Sequence, residues 1–101
     1  MRSTIDFQSI NRAALPALPI LLHRWLPDGR RRGREWIARN PTRQDRKPGS
    51  FSINMVSGCW AEFADGATAK GRDVVSLYAY LRNIGQGHAA RELAGLLRID
   101  A

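Results

Sequence analysis

Pro48-Gly49-Ser50-Phe51-Ser52-Ile53-Asn54-Met55-Val56-Ser57-Gly58-Cys59-Trp60-Ala61-Glu62-Phe63 is the stretch whose reading decides the fold. Phe51, Ile53 and Met55 alternate with Ser52 and Asn54, the period-two pattern of a half-buried strand. Val56-Ser57-Gly58 supplies a turn, and Trp60 to Phe63 reads as a second, less regular strand. Pro48-Gly49 bounds the pair on one side and Asp65-Gly66 on the other, which makes this the strongest local hairpin signal in the chain.

Working outward, Glu35-Trp36-Ile37-Ala38-Arg39 reads as a third short strand running into Asn40-Pro41. Residues 42–47 are polar and charged and read as a loop, as do residues 65–71. Asp73 is placed to cap a helix over 74–83, in which Val74, Leu77, Tyr78 and Leu81 share one face. Gly85 interrupts the chain, and a second helix over 86–98 puts Ala90, Leu93, Ala94 and Leu97 on its apolar side. Towards the N-terminus, residues 1–7 carry no periodic pattern. Residues 9–26 read as one helix with Leu21, Leu22, Trp25 and either Ala17 or Leu18 on a common face, Pro16 and Pro19 lying in or near a first turn. Pro27-Asp28-Gly29 stops that helix and opens a basic loop over 28–34. The expected architecture is α+β within one domain, 1–101. A ribbon-like antiparallel sheet of about three strands (35–63) is covered by a helical pair (73–98), with an additional N-terminal helix (9–26).

The chain has 101 residues, 44% hydrophobic and 25% charged, which suits a soluble globular domain with a modest core. Its one cysteine, Cys59, excludes an intramolecular disulfide and an all-cysteine zinc site, and fits a reducing, cytoplasmic setting. The longest apolar run, residues 13–22, is broken by Pro16 and Pro19 and is too short to span a bilayer. No signal peptide is read. Charge is concentrated: Arg24, Arg30, Arg31, Arg32, Arg34, Arg39, Arg43, Arg46 and Lys47 face only Asp28, Glu35 and Asp45, so +6 of the net +7 lies between residues 24 and 47. Such an excess points to a polyanionic partner, and arginine can fork two hydrogen bonds onto one phosphate.

Catalytic signals are weak by comparison. His23 and His88 lie on predicted helices, and no serine sits in a glycine-flanked nucleophile motif. Glu62, Asp65 and Asp73 carry oxygen ligands, but their spacing matches no metal loop and suits capping and turn roles better. Residues 66–71 lack the Gly-Lys-Ser/Thr ending of a phosphate-binding loop. Trp36, directly after the arginines, reads as a core residue.

Gly33-Arg34-Glu35-Trp36, Asn40-Pro41, Asp45, Pro48-Gly49-Ser50-Phe51, Gly58-Cys59-Trp60, Glu62-Phe63 and Asp73-Val74-Val75-Ser76-Leu77 together resemble the N-terminal zinc-ribbon domain of primase-like proteins from bacteria, plasmids and phages. The resemblance covers roughly residues 34–97. It implies a template-contacting ribbon whose polymerising domain is separate. The zinc ligands of that ribbon are missing: Asn40 and Arg43 stand at its first pair, Glu62 and Asp65 at its second, and Cys59 falls outside. Gly71-Arg72-Asp73 replaces its Gly-Gly-Asp. By resemblance this is a degenerate ribbon without metal, stabilised by packing of Trp36, Phe51, Trp60 and Phe63.

The resulting expectation is a non-catalytic module that binds DNA, single-stranded template above all, through Arg30, Arg31, Arg32, Arg34, Arg43, Arg46 and Lys47. Phosphate neutralisation would give affinity and exposed aromatics any stacking, with little base specificity. No cofactor, metal or membrane is implied, and a primase or helicase catalytic domain or another replication protein is the expected protein partner. The alternative is a protein-interaction module of a mobile-element or phage replication complex. A small metal-dependent nuclease using Glu62, Asp65 and Asp73 is the third reading.

Overall fold

A computed structural model describes residues 6–42, 51–62 and 69–98. Asp6 opens the first helix, α1 (Phe7–Ala14), by accepting the Ser9 N–H at 3.0 Å. The helix then tightens into a 3-10 turn over Leu15–Ala17 before resuming as α2 (Leu18–Trp25). The single helix expected over 9–26 is therefore two helices and starts at Phe7. The cause is proline chemistry: Pro16 and Pro19 lack the N–H that a continuous helix needs, so each sits in the first turn of its own segment.

Five antiparallel strands follow in simple meander order: β1 (Arg30–Arg32), β2 (Glu35–Ala38), β3 (Phe51–Asn54), β4 (Trp60–Glu62) and β5 (Lys70–Gly71). The expected α+β class with an antiparallel sheet holds, as do the strands at β2, β3 and β4. Two corrections concern the sheet's edges. The basic loop read over 28–34 contains a strand and a tight hairpin turn, and the loop read over 65–71 ends in a strand. Arg30–Arg32 has no apolar alternation, yet β2 offers it a free edge and Arg32 lies directly opposite Glu35. Gly33, at φ +61°, takes the left-handed first position that a two-residue hairpin turn demands. The Met55 N–H donates to the Arg34 carbonyl at 2.7 Å and ties that turn to the end of β3.

Along β2, β3 and β4, burial alternates strictly. Trp36, Ala38, Phe51, Ile53, Trp60 and Glu62 point to the helices, while Glu35, Ile37, Ser52, Asn54 and Ala61 occupy the opposite, half-buried face. The core joins those inward residues to Ile10, Leu18, Leu22, Val75, Leu77 and Leu93. Full burial of side chains this size contributes about 1.5–3 kcal/mol each.

Helix α3 (Val74–Arg82) starts at Asp73, whose carboxylate accepts the Ser76 N–H at 2.8 Å, as the sequence indicates. Asn11 of α1 caps the same end by accepting the Val75 N–H. Asn83, left-handed at φ 56°, ends α3, and Gly85 opens α4 (Gln86–Leu97). Ala90, Leu93 and Ala94 are buried on α4 as the periodicity predicts.

Gly71 of β5 lies opposite Trp60, and a β-carbon there would overlap both the Trp60 indole and Ser76 Oγ. Gly71→Ala is expected to cost about 1–2 kcal/mol by overpacking. Urea unfolding monitored by circular dichroism would show the lower midpoint; an unchanged midpoint would mean that the indole yields freely.

Candidate nucleic-acid interface

The expected arginines divide into two groups. Arg30, Arg31 and Arg32 lie along β1, Arg34 lies in the turn beside it, and all four are exposed. Arg43, Arg46 and Lys47 fall outside the described residues. Strand alternation sends Arg30 and Arg32 to the uncovered face, opposite Ile37 and Glu35, and Arg31 to the other side, opposite Trp36. No ion pair among the described residues engages any of the four. A hairpin thus holds four guanidinium groups together at one edge of the sheet with their charge open to solvent.

The uncovered face is made of small and apolar groups between charged edges. Register places Arg30 opposite Ile37, Ile37 opposite Ser52, Ser52 opposite Ala61, and Ala61 opposite Lys70. A second row runs Arg32, Glu35, Asn54. Within it, Glu35 accepts a hydrogen bond from Ser52 Oγ at 2.6 Å. Lys70 was absent from the sequence-derived site. Its signal lies in the strand register alone.

Stacking by exposed aromatics finds no support on this face. Trp36 is buried, donates its indole N–H to the Leu26 carbonyl and meets the His23 ring edge-on. Trp60 is buried and donates to Ser76 Oγ at 3.0 Å, and Phe51 packs against both Trp60 and Tyr80, which also meet each other. Alternation drives the strand rings towards the helices, so the core reading of Trp36 stands and the described open face offers no aromatic side chain for stacking.

Asn40 and Glu62, two positions where the resembled ribbon has zinc ligands, are both buried and meet directly. Asn40 Nδ2 donates to Glu62 Oε2 and to the Tyr80 hydroxyl, while Asn40 Oδ1 accepts from the Thr42 N–H and hydroxyl. This donor set does not fit zinc: it presents an amide N–H to the carboxylate and contains neither thiolate nor imidazole. Cys59 lies at the turn end of the β3–β4 hairpin, with Sγ 4.0 Å from the Arg72 carbonyl oxygen. Among the described residues, no group of three or more His, Cys, Asp or Glu side chains gathers as a metal would require.

The nuclease triad fares no better. Glu62 is engaged with Asn40, Asp73 caps α3, and Asp65 lies outside the described residues. His88 and Glu92 do come together, 3.0 Å apart, and the Tyr78 hydroxyl donates to Glu92 at 2.7 Å. That bond holds the Glu92 carboxyl below its ordinary range, while burial beside it pushes the Tyr78 phenol up. A reluctant phenol and a well-solvated carboxylate brace α3 against α4 rather than form a nucleophile and base.

Beside β5, a groove of about 740 Å³ is lined by Thr42, Trp60, Lys70, Ser76, Tyr80 and Gln86, among others. Its aromatic polar atoms are satisfied internally, Trp60 by Ser76 and Tyr80 by Asn40 and Thr42. Among the described residues, no helix is long and apolar enough to cross a membrane. No protein-family model and no curated protein matches the chain.

Proposed function

We propose that the chain is a non-catalytic nucleic-acid-binding module that takes DNA, single-stranded in preference, on the arginine edge of its open sheet face. The observation that carries this reading is the β1 hairpin. It holds Arg30, Arg31, Arg32 and Arg34 exposed and free of described ion pairs beside the half-buried face turned away from the described helices. Arg43, Arg46 and Lys47 belong to the proposed set by sequence and lie outside the described residues. Phosphate contacts dominate, and the absence of aromatic side chains from the described open face argues for little base preference. A template-contacting role in a cytoplasmic, primase-like replication protein follows from the resemblance of residues 34–97.

Fluorescence-anisotropy titration of labelled single- and double-stranded oligonucleotides across a salt series tests it. Neutralising about five phosphates gives a log–log salt slope near −3.5 on single strands. Absence of binding even at about 50 mM salt would overturn the reading.

One feature favours a second reading. As the first strand of the sheet, β1 has one backbone edge that no described strand pairs, and its arginines suit an acidic extended segment adding there. Such a protein-interaction module would bind an acidic peptide and leave generic oligonucleotides alone.

A further inference from the structure

Resting on the DNA-binding reading, we infer that a single strand crosses the sheet perpendicular to its β-strands, from Arg30 at one edge to Lys70 at the other, and that Lys70 is a phosphate-binding residue. The row Arg30, Ile37, Ser52, Ala61, Lys70 is continuous in register and has a cation at each end. Both cations are exposed, and the three residues between them are half-buried on the side away from the described helices. Gly71 fixes which way Lys70 faces. The missing β-carbon of Gly71 is directed at Trp60 and Ser76 on the helix side, so its neighbour Lys70 is directed to the open side.

The parallel row supplies the acidic residue of this face, Glu35, in register between Arg32 and Asn54; its carboxylate accepts from Ser52 Oγ at 2.6 Å, so it borders the Arg30 row and disfavours a phosphate directly over Ser52. The Arg30 row contributes no acidic residue of its own, and its floor is Ile37, Ser52 and Ala61. Ser52 donates its hydroxyl proton to Glu35, which leaves only its lone pairs to a passing strand.

The span sets a footprint. Four inter-strand steps of about 4.8 Å put the two edges roughly 19 Å apart. A stacked single strand advances about 3.4 Å per nucleotide, so about six nucleotides bridge the edges. A strand lying along β1 instead would never reach Lys70.

The test is anisotropy titration of the intact chain with 5′-fluorescein oligodeoxyadenylates, which stack, from about three to twelve nucleotides, for the wild type, Lys70→Ala and Lys70→Glu. Affinity is expected to climb steeply until about six nucleotides and then flatten, as a ligand that has bridged both edges gains only statistical sites. Lys70→Ala should reduce the salt slope on the twelve-mer by about 0.7, and Lys70→Glu should weaken it about ten-fold, with trimer binding unchanged. Circular dichroism confirms that these surface variants fold. If the wild type binds the twelve-mer but neither Lys70 variant shifts affinity, slope or the length at which affinity flattens, the crossing track is wrong and the arginine edge alone stands. If the wild type binds no oligonucleotide, both the track and the DNA-binding reading fall.

Discussion

Replacing Arg30, Arg31, Arg32 and Arg34 together by Ala is expected to weaken single-stranded DNA binding on the order of 100-fold at low salt. The salt slope should fall by about 2.1, from near −3.5, because Arg30, Arg32 and Arg34 each lose a phosphate contact of roughly 0.7 while Arg31 faces the other side. The fold should survive this change. All four side chains are exposed, and none makes a described ion pair. Substitutions at such positions usually fall within about 0.5 kcal/mol of neutral. Removing four like charges from one short hairpin even relieves repulsion. A parallel variant with four lysines separates two contributions. It keeps the charge and hence most of the slope, but loses the bidentate fork, so a drop in affinity at constant slope would identify arginine geometry. If the alanine variant keeps full affinity and slope, the β1 hairpin is not the interface.

How much of this was legible beforehand depends on what kind of interaction makes each element. The β3–β4 hairpin was readable because Phe51 and Ile53 alternate with Ser52 and Asn54, and that alternation is the burial pattern itself. Helix α3 was readable from Val74, Leu77 and Tyr78 on one face and from Asp73 at its start. The strand β1 was hidden because three consecutive arginines have no buried face. Pairing with β2 creates it, and pairing is a non-local property. The strand β5 was hidden because Lys70-Gly71 resembles loop composition, although the glycine is there to clear the Trp60 indole. Lys70 became visible as a candidate only when four registers were chained across the sheet. That Asn40, Arg43, Glu62 and Asp65 stand where the resembled ribbon has its zinc ligands was plain in the sequence. The contact between Asn40, Glu62 and Tyr80 was not, since these partners lie 22 and 40 residues apart.

That contact carries the largest expected stability effect of a single substitution. Asn40 is 1% exposed and uses its whole side chain: two donations, to Glu62 and Tyr80, and two acceptances, from the Thr42 N–H at 2.9 Å and its hydroxyl at 2.7 Å. Asn40→Ala removes all four and takes a donor from a buried carboxylate in the same step. Charged hydrogen bonds contribute about 1.5–3 kcal/mol and a deprived buried group costs a comparable amount, so a net loss of about 3 kcal/mol is expected. For a domain this size, that lowers Tm by roughly 15 °C, a large share of a total stability of about 5–15 kcal/mol. Asn40→Asp sharpens the test. It preserves acceptance from Thr42 but turns a carboxylate oxygen towards Glu62 where the amide N–H had been, so it should destabilise at least as much at neutral pH. Differential scanning fluorimetry with and without added zinc or chelator reads both variants and the wild type. A wild-type Tm that ignores metal, beside a steep fall in both variants, would mean that an organic hydrogen-bond cluster joins β2, β4 and α3. A Tm that rises with zinc would mean that the chain binds a metal and that the hydrogen-bond reading of Asn40 and Glu62 is wrong.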